Sequence, residues 1–199
     1  MLTGIVLSIQ KIIDVNSKLS EAQTNVMKTT GMTKREVDEL SKSFGVLRTR
    51  TGRIELLGIA EVGGRLGVAK EDIQDFVKVM DKASVALGDS FEGGPDIVAE
   101  KLVRIKGLYA ELRESDIESS FESVGSALND MGASGAASEQ NMAEFVTRVG
   151  TLPDALKQTI QEALGLGAAF EESGLKTELA SNNYGKVISI AARDTGAFA

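Results

Sequence analysis

Five groupings along the 199-residue chain place residue types that do chemistry at suggestive spacings. Ser8 and Lys11 stand three apart, as the nucleophile and base of some serine–lysine acyl enzymes do, but the motifs that accompany that pair elsewhere are absent. Gly58-Ile59-Ala60-Glu61-Val62-Gly63-Gly64-Arg65 has the outline of a phosphate loop, without the Lys-Ser/Thr that follows such a loop or a strand leading into it. Helix packing and helix termination are the simpler expectation there. Asp89, Glu92 and Asp96 gather carboxylates around a glycine loop, the ligand type that hard cations such as calcium take, at a spacing that matches no recognised calcium loop. Glu118 and Glu122 lie one helical turn apart, as an acid–base carboxylate pair would. Ser115, Ser119, Ser120 and Ser123 surround them, which suggests a solvated face with no hydrophobic pocket to shift a carboxyl group. Lys28, Lys34, Arg35, Lys42, Arg48, Arg50 and Arg53 form the densest basic stretch, suited to nucleic acid or an acidic partner. Glu36, Asp38 and Glu39 share that stretch, and no aromatic side chains are interleaved to stack on bases, so a mixed-charge solvated face is expected. Pairing with the acidic remainder, within or between chains, is the intermediate reading.

Composition narrows these options further. The chain has no Cys and no His. That excludes a Cys/His zinc site, a thiol nucleophile, a disulfide framework and a Ser-His-Asp relay, and leaves carboxylates, Lys, Tyr or Ser for any catalysis. No catalytic, cofactor or metal site is expected. The formal net charge is −7, which argues against specific nucleic-acid binding. The charge is uneven: residues 1–53 hold nine Lys/Arg and five Asp/Glu, a balance of +4, and the remainder balances at −11. No membrane span is expected, because no segment is apolar over the length of a bilayer crossing. Leu2–Ile13 lacks the basic start of a signal peptide.

The elements that must position these residues read as helices. Apolar residues recur at three and four, there are only two prolines, and alternating β-branched runs are missing, so the expected fold is all-α, a bundle of short amphipathic helices. Residues 5–27 predict a long amphipathic helix with a candidate break at Asn16-Ser17. Its apolar face is the first choice for a partner surface, with internal packing as the alternative. Thr33 and Glu36 form a capping box ahead of Val37, Leu40, Phe44 and Leu47. A shorter helix follows with Ile54, Leu57 and Val62, ending by Gly67. Glu71, Asp72 and Asp75 open a helix through Leu87. Pro95 suits the first turn of the next, which carries Leu102, Ile105 and Tyr109. Asp116 and Ser138 are starts for two more, Pro153 for another through Leu164, and Leu179–Ala192 reads as the last, with a frayed tail from Arg193. Gly165-Leu166-Gly167 suits a close helix–helix approach. The expected organisation is an N-terminal helical segment, 1–31, a first helical unit, 32–130, and a second unit with the C-terminal helix, 131–199.

An internal echo accompanies this pattern. Lys70–Val77 reads like Glu139–Val146 at an offset of 69 residues, each after a glycine-containing loop. The echo fits two related helical units, and fits equally the generic pattern of acid-capped amphipathic helices.

The order of motifs also resembles a known family. Lys28-Thr29-Thr30-Gly31-Met32-Thr33, then Leu57-Gly58-Ile59-Ala60-Glu61, then Leu66-Gly67-Val68-Ala69-Lys70-Glu71-Asp72-Ile73-Gln74-Asp75-Phe76 follow one another as in the core region of phage and prophage tail tape measure proteins. Ser123–Gly132, Ala136–Val149 and Gly174-Leu175-Lys176-Thr177-Glu178 are similar to later parts of that core. Ala69 departs from the usual Ser or Thr cap, and the long coiled segments, hydrophobic spans and hydrolase domains of complete members are not seen, so the chain resembles one segment. The resemblance implies a structural protein without catalytic activity. It implies a place in the lumen of the tail tube, host cytoplasm during assembly, tail-tube subunits and tail assembly chaperones as partners, and a length that sets tail length. Self-association is compatible with it. The competing readings are a helical adaptor module unrelated to phages and, least supported, a small helical carboxylate hydrolase.

Overall fold

The computed structural model describes the backbone of residues 2–135 and 137–193, with the side chains of residues 2–9 and Asp89 outside the described set. Among the described residues the chain is all-α, with ten helices and no strand. They are α1 (Leu2–Thr30), α2 (Lys34–Phe44), α3 (Arg53–Arg65), α4 (Ile73–Leu87), α5 (Pro95–Leu108), α6 (Ala110–Glu114), α7 (Ile117–Ser134), α8 (Glu139–Val149), α9 (Ile160–Glu172) and α10 (Thr177–Arg193). None of them is long and apolar enough to cross a membrane. The chain divides into two compact units, Met1–Asp81 and Lys82–Ala199.

In the first unit α1 packs along α3 and α2. The break anticipated at Asn16-Ser17 does not occur: α1 is continuous. Neither residue is Gly or Pro and both face water, so nothing interrupts the helical ladder. Thr33 caps α2 as expected. Its Oγ accepts from the Glu36 N–H at 3.3 Å, and the Thr33 N–H donates to the Glu36 carboxylate at 2.7 Å. Val26, Val37, Phe44, Leu56, Leu57, Ile59, Ile73 and Phe76 form the core, each at most 3% exposed. Every such fully buried aliphatic or Phe side chain contributes about 1.5–3 kcal/mol.

Gly63 and Gly64 let three helices meet. A Cβ on Gly63 would lie 2.8 Å from the Phe76 ring of α4. One on Gly64 would lie 2.7 Å from Thr29 Oγ1 and 2.8 Å from the Thr29 carbonyl carbon, at the end of α1. Termination falls to Gly67, whose φ of 79° is in the left-handed region that costs glycine little. The Val68 N–H reaches the Gly63 carbonyl and the Gly67 N–H the Gly64 carbonyl, the paired bonds of a Schellman stop. The same pair of bonds recurs at Gly174, between α9 and α10.

In the second unit α8 is central, packed by α5, α7, α9 and α10. Met142, Ala143, Phe145, Val146 and Val149 are accordingly buried around much of its circumference. Gly167 of α9 seats against Phe145, with a hypothetical Cβ 3.1 Å from the ring, as its small-residue setting suggested. Phe145, Phe170 and Tyr184 make a triangle of tilted rings 5.6–6.5 Å apart, tying α8, α9 and α10. Asp116 caps α7, Ser138 caps α8, and Pro95 opens α5, as expected.

Two boundaries differ from expectation. Pro153 does not begin a long helix. It precedes a single 3₁₀ turn, Asp154–Leu156, and α9 starts at Ile160 behind a second full capping box, Thr159 with Glu162. Reciprocal capping at Thr159 satisfies two free N–H groups, which Pro153 cannot do. The helix opened by Pro95 stops at Leu108 because Tyr109 turns to extended backbone, with φ −109° and ψ 128°. A frayed tail is expected from Arg193; Arg193 is the last residue of α10, and residues 194–199 lie outside the described residues.

Candidate functional site

Little chemistry converges at the five groupings. The Ser8 side chain lies outside the described residues, and Lys11 is exposed on α1. The Gly58–Arg65 run is interior to α3, where it packs helices. Asp89's side chain also lies outside the described set. Nearby, the Glu92 backbone N–H donates to Gln140 at 3.0 Å, and Asp96 occupies the first turn of α5. Among the described residues no three carboxylates are grouped to hold a metal. Glu118 and Glu122 are exposed, and Glu122 pairs with Lys82 at 3.3 Å. Ser120 is a correction to the solvated-face expectation. It is 1% exposed, and its hydroxyl donates to the Asp116 carbonyl at 2.7 Å.

The basic stretch is partly neutralised on its own helix. Lys34 meets Asp38 at 2.8 Å and Arg35 meets Glu39 at 4.0 Å, each one turn on. Glu36 accepts from the Thr33 backbone N–H and hydroxyl and from Lys70 at 3.3 Å. The Thr33 bonds, first, and Lys70 hold its carboxyl down at about 2.

Two lysines do the most polar work in the second unit, and nothing in their local sequence signals it. Lys106 donates to the Leu112 carbonyl, to the Ser115 carbonyl at 2.7 Å and to Ser120 Oγ at 2.9 Å. Burial pushes its ammonium pKa down. Lys157 donates to the Leu108 carbonyl at 2.6 Å and the Gly150 carbonyl at 2.9 Å, and pairs with Asp154 at 2.7 Å. It also lies 5.8 Å from the Tyr109 ring centroid. These cations gather the free carbonyls at the ends of α5, α6 and α8, where positive charge is favourable. All three hydrogens of each ammonium are engaged, so neither is poised as a nucleophile or base. The Tyr109 hydroxyl donates to the Val146 carbonyl at 2.9 Å, and burial holds its pKa well above the ordinary phenol value. A groove of about 690 Å³ runs between the end of α8 and α10, lined by Arg148, Leu152, Ser181, Lys186 and Ile190 among others. Sequence reasoning did not find it, because its two walls meet only in the folded unit.

The surface that stands out is on α1. Residues 10–18 are all exposed, with Ile12 at 61%, Ile13 at 60% and Val15 at 55%. Val26 on the same helix is fully buried. The C-terminal half of this face packs internally, as the alternative reading has it, and residues 10–18 are uncovered.

The family model for phage-related minor tail proteins matches residues 34–199. No curated protein and no solved structure matches the chain.

Proposed function

Because the chain belongs to the family of phage-related minor tail proteins, we propose that this tail protein acts as a tape measure segment, a structural ruler for the tail. The observation that carries the reading is the family match over residues 34–199 on a chain that is all-α among its described residues. A ruler needs length per residue, and helix supplies about 1.5 Å for each. It needs helix faces for tail-tube subunits and assembly chaperones, its proposed partners in the host cytoplasm. In the tail lumen an acidic protein of net charge −7 would not retain the DNA that later passes. The short helices and glycine stops close each unit on itself, and we propose that they open into longer helix inside the tube.

The test is tail length by electron microscopy after in-frame deletion of residues 70–130, with a duplication of the same residues as companion. The ruler reading expects tails up to about 90 Å shorter and longer respectively. Normal tails of unchanged length in both phages would refute it and favour an interaction module.

A further inference from the structure

We propose that the groove between the end of α8 and α10 is the seat of an acidic amphipathic helix from a partner protein. A missing side chain helps to keep the groove open. Gly185 of α10 lies beside Leu152, 3.9 Å from where a Cβ would stand, and the open space is about 690 Å³. Buried Val149, half-buried Leu152 and Ile190, 51% exposed, give it an apolar lining. The charged part of the lining has one sign. Arg148, Lys186 and Arg193 line the groove and no Asp or Glu does. Yet residues 82–199 hold ten Lys/Arg against eighteen Asp/Glu, a balance of −8. Glu144 at 2.7 Å and Glu178 at 4.0 Å pair with Arg148 from outside the lining. Among the described residues Lys186 and Arg193 have no acidic partner. The sign of the surface therefore inverts at the groove. An acidic ligand is repelled by most of this unit and drawn there.

Spacing identifies the ligand as a helix. Lys186, Ile190 and Arg193 follow at steps of four and three on α10. They present two cations about 10.5 Å apart along the axis, with an aliphatic side chain between them. A helix with carboxylates at i and i+7 and Leu or Ile at i+3 or i+4 repeats that pattern. The described residues contain no strand, so an extended peptide finds no sheet edge to join. A nucleic-acid backbone would meet the cations but leave Leu152 and Ile190 without an apolar partner. The assignment is independent of the tail-length reading, and its test involves no virion.

The probe is a fluorescent, alanine- and glutamine-based helical peptide in which Glu at i and i+7 brackets Leu at i+3 and i+4. Anisotropy with the full 199-residue chain should show saturable binding. Raising the ionic strength from about 0.1 to about 1 M should weaken it about tenfold. Lys186→Glu, which reverses a groove charge, and Gly185→Leu, which fills the groove without changing charge, should each weaken binding about tenfold. Lys176→Glu makes the same charge change at an exposed site about 15 Å along the chain from Lys186 and should leave binding within about twofold. Far-UV circular dichroism will verify the fold of each variant. The chain has no cysteine, so Asn182→Cys, in the lining, reports position directly. Its maleimide labelling should slow about tenfold when the peptide saturates. No peptide binding at millimolar concentration, equal binding of the Lys-for-Glu peptide, unslowed labelling, or equal loss in Lys176→Glu and Lys186→Glu would overturn the proposal. So would displacement of the peptide by duplex DNA at comparable concentration, or dimerisation of the chain abolished by Lys186→Glu, which would make a second copy the occupant.

Discussion

Alanine at Gly64 should weaken the first unit, and alanine at Gly165 should strengthen the second, although both are Gly→Ala changes inside helices. Replacing a helix-interior glycine by alanine gains about 0.8–1 kcal/mol from backbone entropy and propensity. At Gly165 nothing lies within 4 Å of the new Cβ, so that gain stands alone. At Gly64 the Cβ arrives 2.7 Å from Thr29 Oγ1 and Thr30 Cγ2, and 2.8 Å from the Thr29 carbonyl carbon. The hydroxyl can rotate away, but the carbonyl carbon belongs to α1 and moves only with the helix. Overpacking of this kind costs about 1–3 kcal/mol. The rigid neighbour places it in the upper half of that range, for a net loss of about 1–2 kcal/mol. For a unit spanning Met1–Asp81 that lowers the midpoint by about 4–16 °C, whereas Gly165→Ala should raise that of the second unit by about 2–5 °C. Thermal unfolding followed by circular dichroism reads both. If Gly64→Ala proves as stable as the parent while Gly165→Ala gains, the close approach of α1 and α3 is not what holds that corner.

Four further outcomes are expected. Gly67→Ala, forced into the left-handed region, should destabilise the first unit by about 1–2 kcal/mol despite open space around it, measured by urea titration. Glu36 is held at about 2 when folded, below its ordinary value near 4.5, so its capping contribution is complete above pH 4.5 and lost as pH falls towards 2. Glu36→Gln should flatten that part of the pH–stability profile. Tyr109→Phe deletes the hydroxyl that donates to Val146 and should cost about 0.5–1.5 kcal/mol in chemical denaturation. Lys157→Met strands the Leu108 and Gly150 carbonyls and should cost about 1–3 kcal/mol, with faster amide exchange at the end of α8.

Helix starts were legible wherever a local device makes them. Thr33 with Glu36, Pro95, Asp116 and Ser138 each act on backbone groups within four residues, so a short window contains the cause. The same logic was available at Thr159 and Glu162, but Pro153 drew the boundary seven residues early because proline at a first turn is also a sound start signal. The stop at Tyr109 has Gly107 two residues before it but no glycine or proline at or beyond the cap, and apolar spacing runs through it into Leu112. Its cause is distant: a hydrogen bond to Val146 and the Lys157 ammonium nearby. The lysine clamps were illegible for the same reason, since their carbonyl partners are assembled by packing. The α1 face was legible as amphipathic, but which half of it the fold would leave in water depended on where α3 begins.

The placement of the aromatic ring in the second unit has a practical optical consequence. The chain has no tryptophan and two tyrosines, Tyr109 and Tyr184, and both lie in Lys82–Ala199. Tyrosine emission is therefore a reporter for that unit alone, and Met1–Asp81 is dark at those wavelengths. Comparing fluorescence with the helical signal during one melt separates the two halves without a label, and one tryptophan introduced near Phe76 would give the silent half a colour of its own.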